Sequence, residues 1–96
     1  MVKKIVWTRK ALYDLKDIFD YIDKDSHQYA VLTTEQILNK VQILVTAPLA
    51  GKIVPEFSSP DLRELIFKSY RIIYKLESTS IAIVRVYHSS RLLSSL

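Results

Sequence analysis

The stretch RVYHSSRLL, residues 85–93, closes an apolar run with a tyrosine, a histidine and an arginine in quick succession. Tyr87, His88 and Arg91 are residue types that can cut a phosphodiester. Imidazole exchanges protons near neutral pH, and a guanidinium steadies phosphate charge. Cleavage through an RNA 2′-hydroxyl needs a base for that hydroxyl, a cation on the phosphate and an acid for the leaving oxygen. Arg63 and Arg71 add two more cations upstream. Each residue also has a plainer reading. His88 at a strand end makes surface hydrogen bonds, Arg91 secures the terminus or meets an acidic partner, and Arg71 pairs with Glu64 across a hairpin. Such a diagonal pair contributes up to about 1 kcal/mol.

These residues must be carried by one small domain, spanning all 96 residues. A hydrophobic fraction of 49% with a single glycine argues against disorder. Without cysteine the fold is held by packing, and two isolated histidines make no metal-ligand cluster. No metal or cofactor is therefore expected. The net charge of +4 suits an anionic partner, either nucleic acid or an acidic protein segment. VQILVTAPLAG falls short of the ~20 apolar residues of a membrane span, and no signal-peptide pattern precedes it. The expected setting is the cytosol, with no membrane contact.

KKIVW reads as a first strand and Thr8 as a helix cap. Ala11, Leu12, Leu15, Ile18, Phe19 and Ile22 recur at helical spacing, leaving Asp14, Lys16, Asp17, Asp20 and Asp23 as the solvated side. Trp7 belongs to the core. Ser26 caps a second helix with the stripe Ala30, Val31, Thr34, Ile37, Leu38, Val41, Leu44 and Val45, ended by Pro48. The short break between them predicts an antiparallel helical hairpin. PLAGKIVPEFSSPD, with all three prolines, reads as a loop. RELIF, YRIIYKL and IAIVRVYH then read as three antiparallel strands. The predicted fold is α+β: an N-terminal strand, a two-helix hairpin, then three strands in a sheet covered on one face by the helices.

A turn at Lys68–Ser69 sets Phe67 opposite Tyr70 and Ile66 opposite Arg71. A four-residue turn at 77–80 sets Leu76 opposite Ile81, Tyr74 opposite Ile83 and Arg71 opposite Val86. Alternation then assigns Leu65, Phe67, Tyr70, Ile72, Tyr74, Leu76, Ile81 and Ile83 to the helices. Glu64, Ile66, Arg71, Ile73, Lys75, Ala82, Val84, Val86 and His88 fall on the other face, expected to be open. Ile66, Ile73, Val84 and Val86 there, rimmed by Arg71, Lys75, His88 and Arg91, fit an acidic, partly disordered partner segment. Leu92, Leu93 and Leu96 either cover the sheet edge or add to such a site.

The order of elements, with WTRKALYDLKDIFDYI, PLAGKIVPEF, LRELIFKSYRIIYKL and VRVYHSSRLL, resembles the RelE/ParE toxins of type II toxin–antitoxin systems over nearly the whole chain. The resemblance implies a plasmid-stabilisation-type toxin, held in a hetero-oligomer by a cognate antitoxin. One branch cuts mRNA on the ribosome, and the ParE branch inhibits DNA gyrase without being a nuclease. Arg71 matches the family's hairpin arginine. Glu64 and Ile66 stand where the ribonuclease branch carries lysines, Ser89 where it carries an arginine, and no tyrosine follows. The His-x-x-Arg ending resembles ParE. The expectation is thus a gyrase inhibitor with no catalytic residues and an antitoxin site at Ile66, Arg71, Ile73, Val84, Val86 and Arg91. The alternative is a ribosome-dependent mRNA endonuclease using Arg71 and His88, with Arg63 or Arg91 on the phosphate.

Overall fold

In a computed structural model of the chain, residues 3–89 and 96 are described. Arg91, Leu92 and Leu93 lie outside them. The chain runs β1 (Lys4–Trp7), α1 (Arg9–Asp23), α2 (His27–Gln42), a 3₁₀ turn at Ile43–Val45, β2 (Lys52–Ile53), β3 (Leu62–Phe67), β4 (Tyr70–Leu76) and β5 (Ser80–His88). Both helix caps are made as expected: Thr8 Oγ1 accepts from the Ala11 N–H and Ser26 Oγ from the Tyr29 N–H.

The sheet has the order β1-β5-β4-β3-β2, with β1 parallel to β5 and the remaining pairs antiparallel. The α+β architecture is the predicted one, with one addition. Lys52 and Ile53, inside the expected loop, pair with Glu64 and Arg63 as a short edge strand. Arg63 Nη1 donates to Gly51 O at 3.0 Å, and the buried Tyr74 hydroxyl donates to Pro48 O at 2.8 Å. These bonds hold the loop against the sheet.

Helices cover one face. Ala11, Ile37, Val41 and Leu44 pack against Leu65, Ile72, Tyr74, Ile81, Ile83 and Val86, with Trp7 and Phe67 alongside. Removing each large apolar side chain from water contributes about 1.5–3 kcal/mol. Thr33, rather than Thr34, is buried on α2. Leu12 and Leu38, expected in the core, are about half exposed and line a groove between the helices instead.

The β3–β4 register is the predicted one. On β4–β5 the predicted pairs Leu76–Ile81 and Tyr74–Ile83 form, and a β-bulge between Ile73 and Tyr74 then shifts the register by one. Arg71 therefore faces Tyr87, not Val86. Because side chains alternate, the shift exchanges faces for the end of β5. Val86 enters the helix-side core, and His88, opposite Tyr70, follows it to that side. Neither lies on the outer face, where both were expected. That face is not bare either. Val54, Ile73 and Tyr87 form a second buried cluster, with Leu62, Val84 and Leu96 packed around it. Ile73 is wholly enclosed, whereas Ile66 remains 47% exposed.

Candidate functional site

Arg71 projects from the start of β4 onto the outer face, and its guanidinium is fully engaged. Nε donates to Glu64 Oε1 at 2.7 Å, while Nη1 and Nη2 donate to the two oxygens of Glu56 at 2.7 and 2.8 Å. The predicted Glu64 pair is present. Glu56 was not foreseen, because nothing in the periodicity of IVPEFSS marks a loop residue that turns inward. Lys52 Nζ stands 3.6 Å from Glu64 Oε2. Its hydrogen bonds to Glu56 and Glu64 raise the Arg71 pKa further above its ordinary value, so the group is a permanent cation. These residues, with Pro55, Ile66 and Ser89, line an open cleft of ≈ 450 Å³. Its two cations face two carboxylates, a balance that disfavours an added phosphate.

The other candidate cations and acids are elsewhere. Arg63 pairs with Tyr74 in the ladder and so projects on the helix side, opposite to Arg71. Its guanidinium donates to Pro60 O and Gly51 O. His88 sets its ring edge-on to Tyr70, with centroids 6.1 Å apart. Arg71, Arg63 and His88 thus do not converge on one point. Arg91 lies outside the described residues. Among those described, no group of three His, Asp or Glu side chains is placed to hold a metal.

A second charged contact forms at the bulge. Arg85 donates from Nε and Nη2 to the two oxygens of Asp14 at 2.7 and 2.9 Å, and the Val86 N–H donates to Asp14 Oδ2 at 2.9 Å. The guanidinium carbon lies 4.4 Å from the centroid of Tyr87. Asp14 is therefore not part of a solvated face. It clasps the irregular end of β5 to α1. The hydrogen bonds that Arg85 donates to Asp14 raise its pKa above the ordinary value.

A family model for the ParE toxin of type II toxin–antitoxin systems, parDE, matches residues 5–93. The chain belongs to the ParE toxin family. In fold it is similar to a solved structure of the chromosomal ParDE TA system from P. aeruginosa, with a TM-score of 0.76 over 91% of this chain and 96% of that one, at 24% identity. No curated protein sequence matches it. Membership in the ParE branch makes the chain a type II toxin and implies an antitoxin partner. Among the described residues no helix is long and apolar enough to cross a membrane.

Proposed function

We propose that this ParE-family toxin acts in the cytoplasm by binding DNA gyrase, not by cutting RNA, and that a cognate antitoxin neutralises it. The observation that carries the reading is the dispersal of the acid–base set. Arg71 is saturated by Glu56 and Glu64 on one face, while Arg63 and His88 project from the other. General acid–base catalysis requires those groups within hydrogen-bond reach of one phosphate. A binding inhibitor makes no such demand.

The antitoxin site proposed is the rim of the outer face, with Ile66, Val84, Arg71 and the Lys52 cleft; Arg91, a further proposed contact, lies outside the described residues. Ile73 belongs to it only where the residues over it move aside, since it is enclosed by the Val54–Tyr87 cluster. Val86 drops out because it faces the helices. The exposed sec-butyl side chain of Ile66 provides an apolar anchor, and the exposed Lys52 ammonium offers its charge to an acidic segment.

The function is tested by adding purified toxin to a gyrase supercoiling assay, with transcript ends mapped in parallel after induction in cells. Relaxed or nicked DNA with intact transcripts is expected. Normal supercoiling at large toxin excess overturns the gyrase target. Codon-positioned cuts that vanish in His88→Ala would instead establish the ribosome-dependent endonuclease.

A further inference from the structure

A third cleft, of ≈ 530 Å³, lies between α1 and the ends of β4 and β5. Its walls are the α1 face Asp14, Asp17 and Tyr21, met by Tyr70, Tyr87 and His88 from the sheet. Asp14, Asp17 and Tyr21 recur at three and four residues, so they line one side of the helix. The bulge matters here, because it is what turns His88 towards Tyr70 on this side.

The cleft margin already shows how one guanidinium is held. Arg85 forks onto the Asp14 carboxylate and stacks over the ring of Tyr87. One helical turn further along, the same pair of groups recurs without a guanidinium. Asp17 is exposed and makes no hydrogen bond or ion pair among the described residues. Lys16 feels the charge of Asp17, but its ammonium is bound to Asp20 at 2.6 Å. Tyr21 is 73% exposed, carrying Lys24 5.8 Å from its ring centroid, and Tyr70 is half-buried beside it. Burial, with Tyr29 and Tyr21 nearby, raises the Tyr70 pKa, so its ring stays neutral and electron-rich at physiological pH.

We propose that this cleft receives an arginine side chain from a protein partner, with the guanidinium on the Asp17 carboxylate and against the faces of Tyr21 and Tyr70. A carboxylate beside aromatic faces attracts a cation through both charge and ring quadrupole. The planar guanidinium suits it better than an ammonium, because it forks onto a carboxylate while stacking. The proposal concerns a basic segment. It is independent of whether gyrase is the target, and it concerns a different face from the antitoxin site proposed above.

The test is a ¹⁵N–¹H NMR titration of the full chain with three capped tripeptide amides, Gly-Arg-Gly, Gly-Lys-Gly and Gly-citrulline-Gly. Citrulline keeps the shape of arginine without its charge. The arginine peptide is expected to give saturable shifts at Asp17, Tyr21, Tyr70 and His88. Its affinity should weaken about fivefold in Asp17→Asn. Asp25→Asn, an equal charge change away from the cleft, should leave it unchanged. Asp17 is exposed, so both variants keep the fold, and their dispersed spectra verify this. Absence of shifts, equal shifts from citrulline, or unchanged affinity in Asp17→Asn overturns the site. Lysine binding as tight as arginine overturns the choice of guanidinium.

Discussion

Replacing Arg71 by leucine isolates the energetics of the central ion cluster. The Arg71 side chain is 8% exposed, and the substitution leaves Glu64, 3% exposed, without its nearest cation. Lys52 remains 3.6 Å away, and Glu56, at 18% exposure on a loop, can turn towards water. Breaking a buried pair from one side costs about 3–5 kcal/mol, and the two escapes put Arg71→Leu near the lower end, about 3 kcal/mol. In a domain of this size that lowers Tm by roughly 12–24 °C. The double variant Arg71→Leu/Glu64→Leu removes the stranded charge and fills the site with apolar surface, so its loss should be about 1 kcal/mol.

Urea unfolding followed by far-UV circular dichroism measures both quantities. The double variant should be more stable than Arg71→Leu alone, a coupling of about 2 kcal/mol or more. If Arg71→Leu costs less than about 1 kcal/mol, or if the two single losses simply add, the cluster is not a coupled buried unit. In that event Arg71 would be available to a phosphate after all.

Asp14→Ala removes three hydrogen bonds to Arg85 and Val86 at the bulge and should cost about 2 kcal/mol by urea unfolding, whereas Asp17→Ala should cost almost nothing. Gly51→Ala would place a Cβ 2.5 Å from Glu64 O and 2.6 Å from the Tyr74 hydroxyl, and should destabilise by about 1–3 kcal/mol in the same assay. Burial raises the Tyr74 pKa above its ordinary 10.0, so the folded state favours the protonated phenol. Its contribution is fully present below about pH 10 and fades as pH rises through the folded value. Tyr74→Phe should accordingly show a shallower loss of Tm between pH 9 and 11, read by thermal melts. Ile66→Asp should weaken antitoxin binding at least tenfold by calorimetry while Asp20→Lys leaves it within twofold, and equal effects would move the proposed site off the outer face.

Much of this architecture was legible in the sequence because apolar spacing and caps carry it. Thr8 and Ser26 cap the helices as expected, although α2 ends at Gln42, before Pro48, and the Lys68–Ser69 turn sets β3 against β4 in the expected register. The bulge was missed because counting from the 77–80 turn assumes an unbroken ladder. Arg85 was the available sign. In unbroken alternation it shares the core side with Ile81 and Ile83, an untenable place for an unpaired cation. Its partner was also visible: Asp14 falls three residues after Ala11 and four before Ile18, on the edge of the buried stripe. The loop offered less. Glu56 and the two residues of β2 are placed by tertiary contacts from Arg71, Arg63 and Tyr74, all distant in sequence.

That single inserted residue also decides which chemistry the sheet can present. In a regular ladder Arg71 and His88 would share the outer face, two residues apart on adjacent strands, as an acid–base pair beside a phosphate requires. With the bulge, Tyr87 takes the outer position opposite Arg71, and His88 passes to Tyr70 on the helix side. The bulge is held by Asp14 through Arg85 and the Val86 N–H, so the dispersal of the set is tied to a named contact. Restoring ribonuclease geometry therefore requires more than supplying the residues that distinguish the nuclease branch. Glu64→Lys alone would set a third cation beside Arg71 and Lys52 while leaving His88 behind the sheet. We expect such a variant to gain salt-sensitive RNA binding, read by fluorescence anisotropy, without gaining cleavage. Cleavage by Glu64→Lys that depends on His88 would show that the bulge does not separate the two groups.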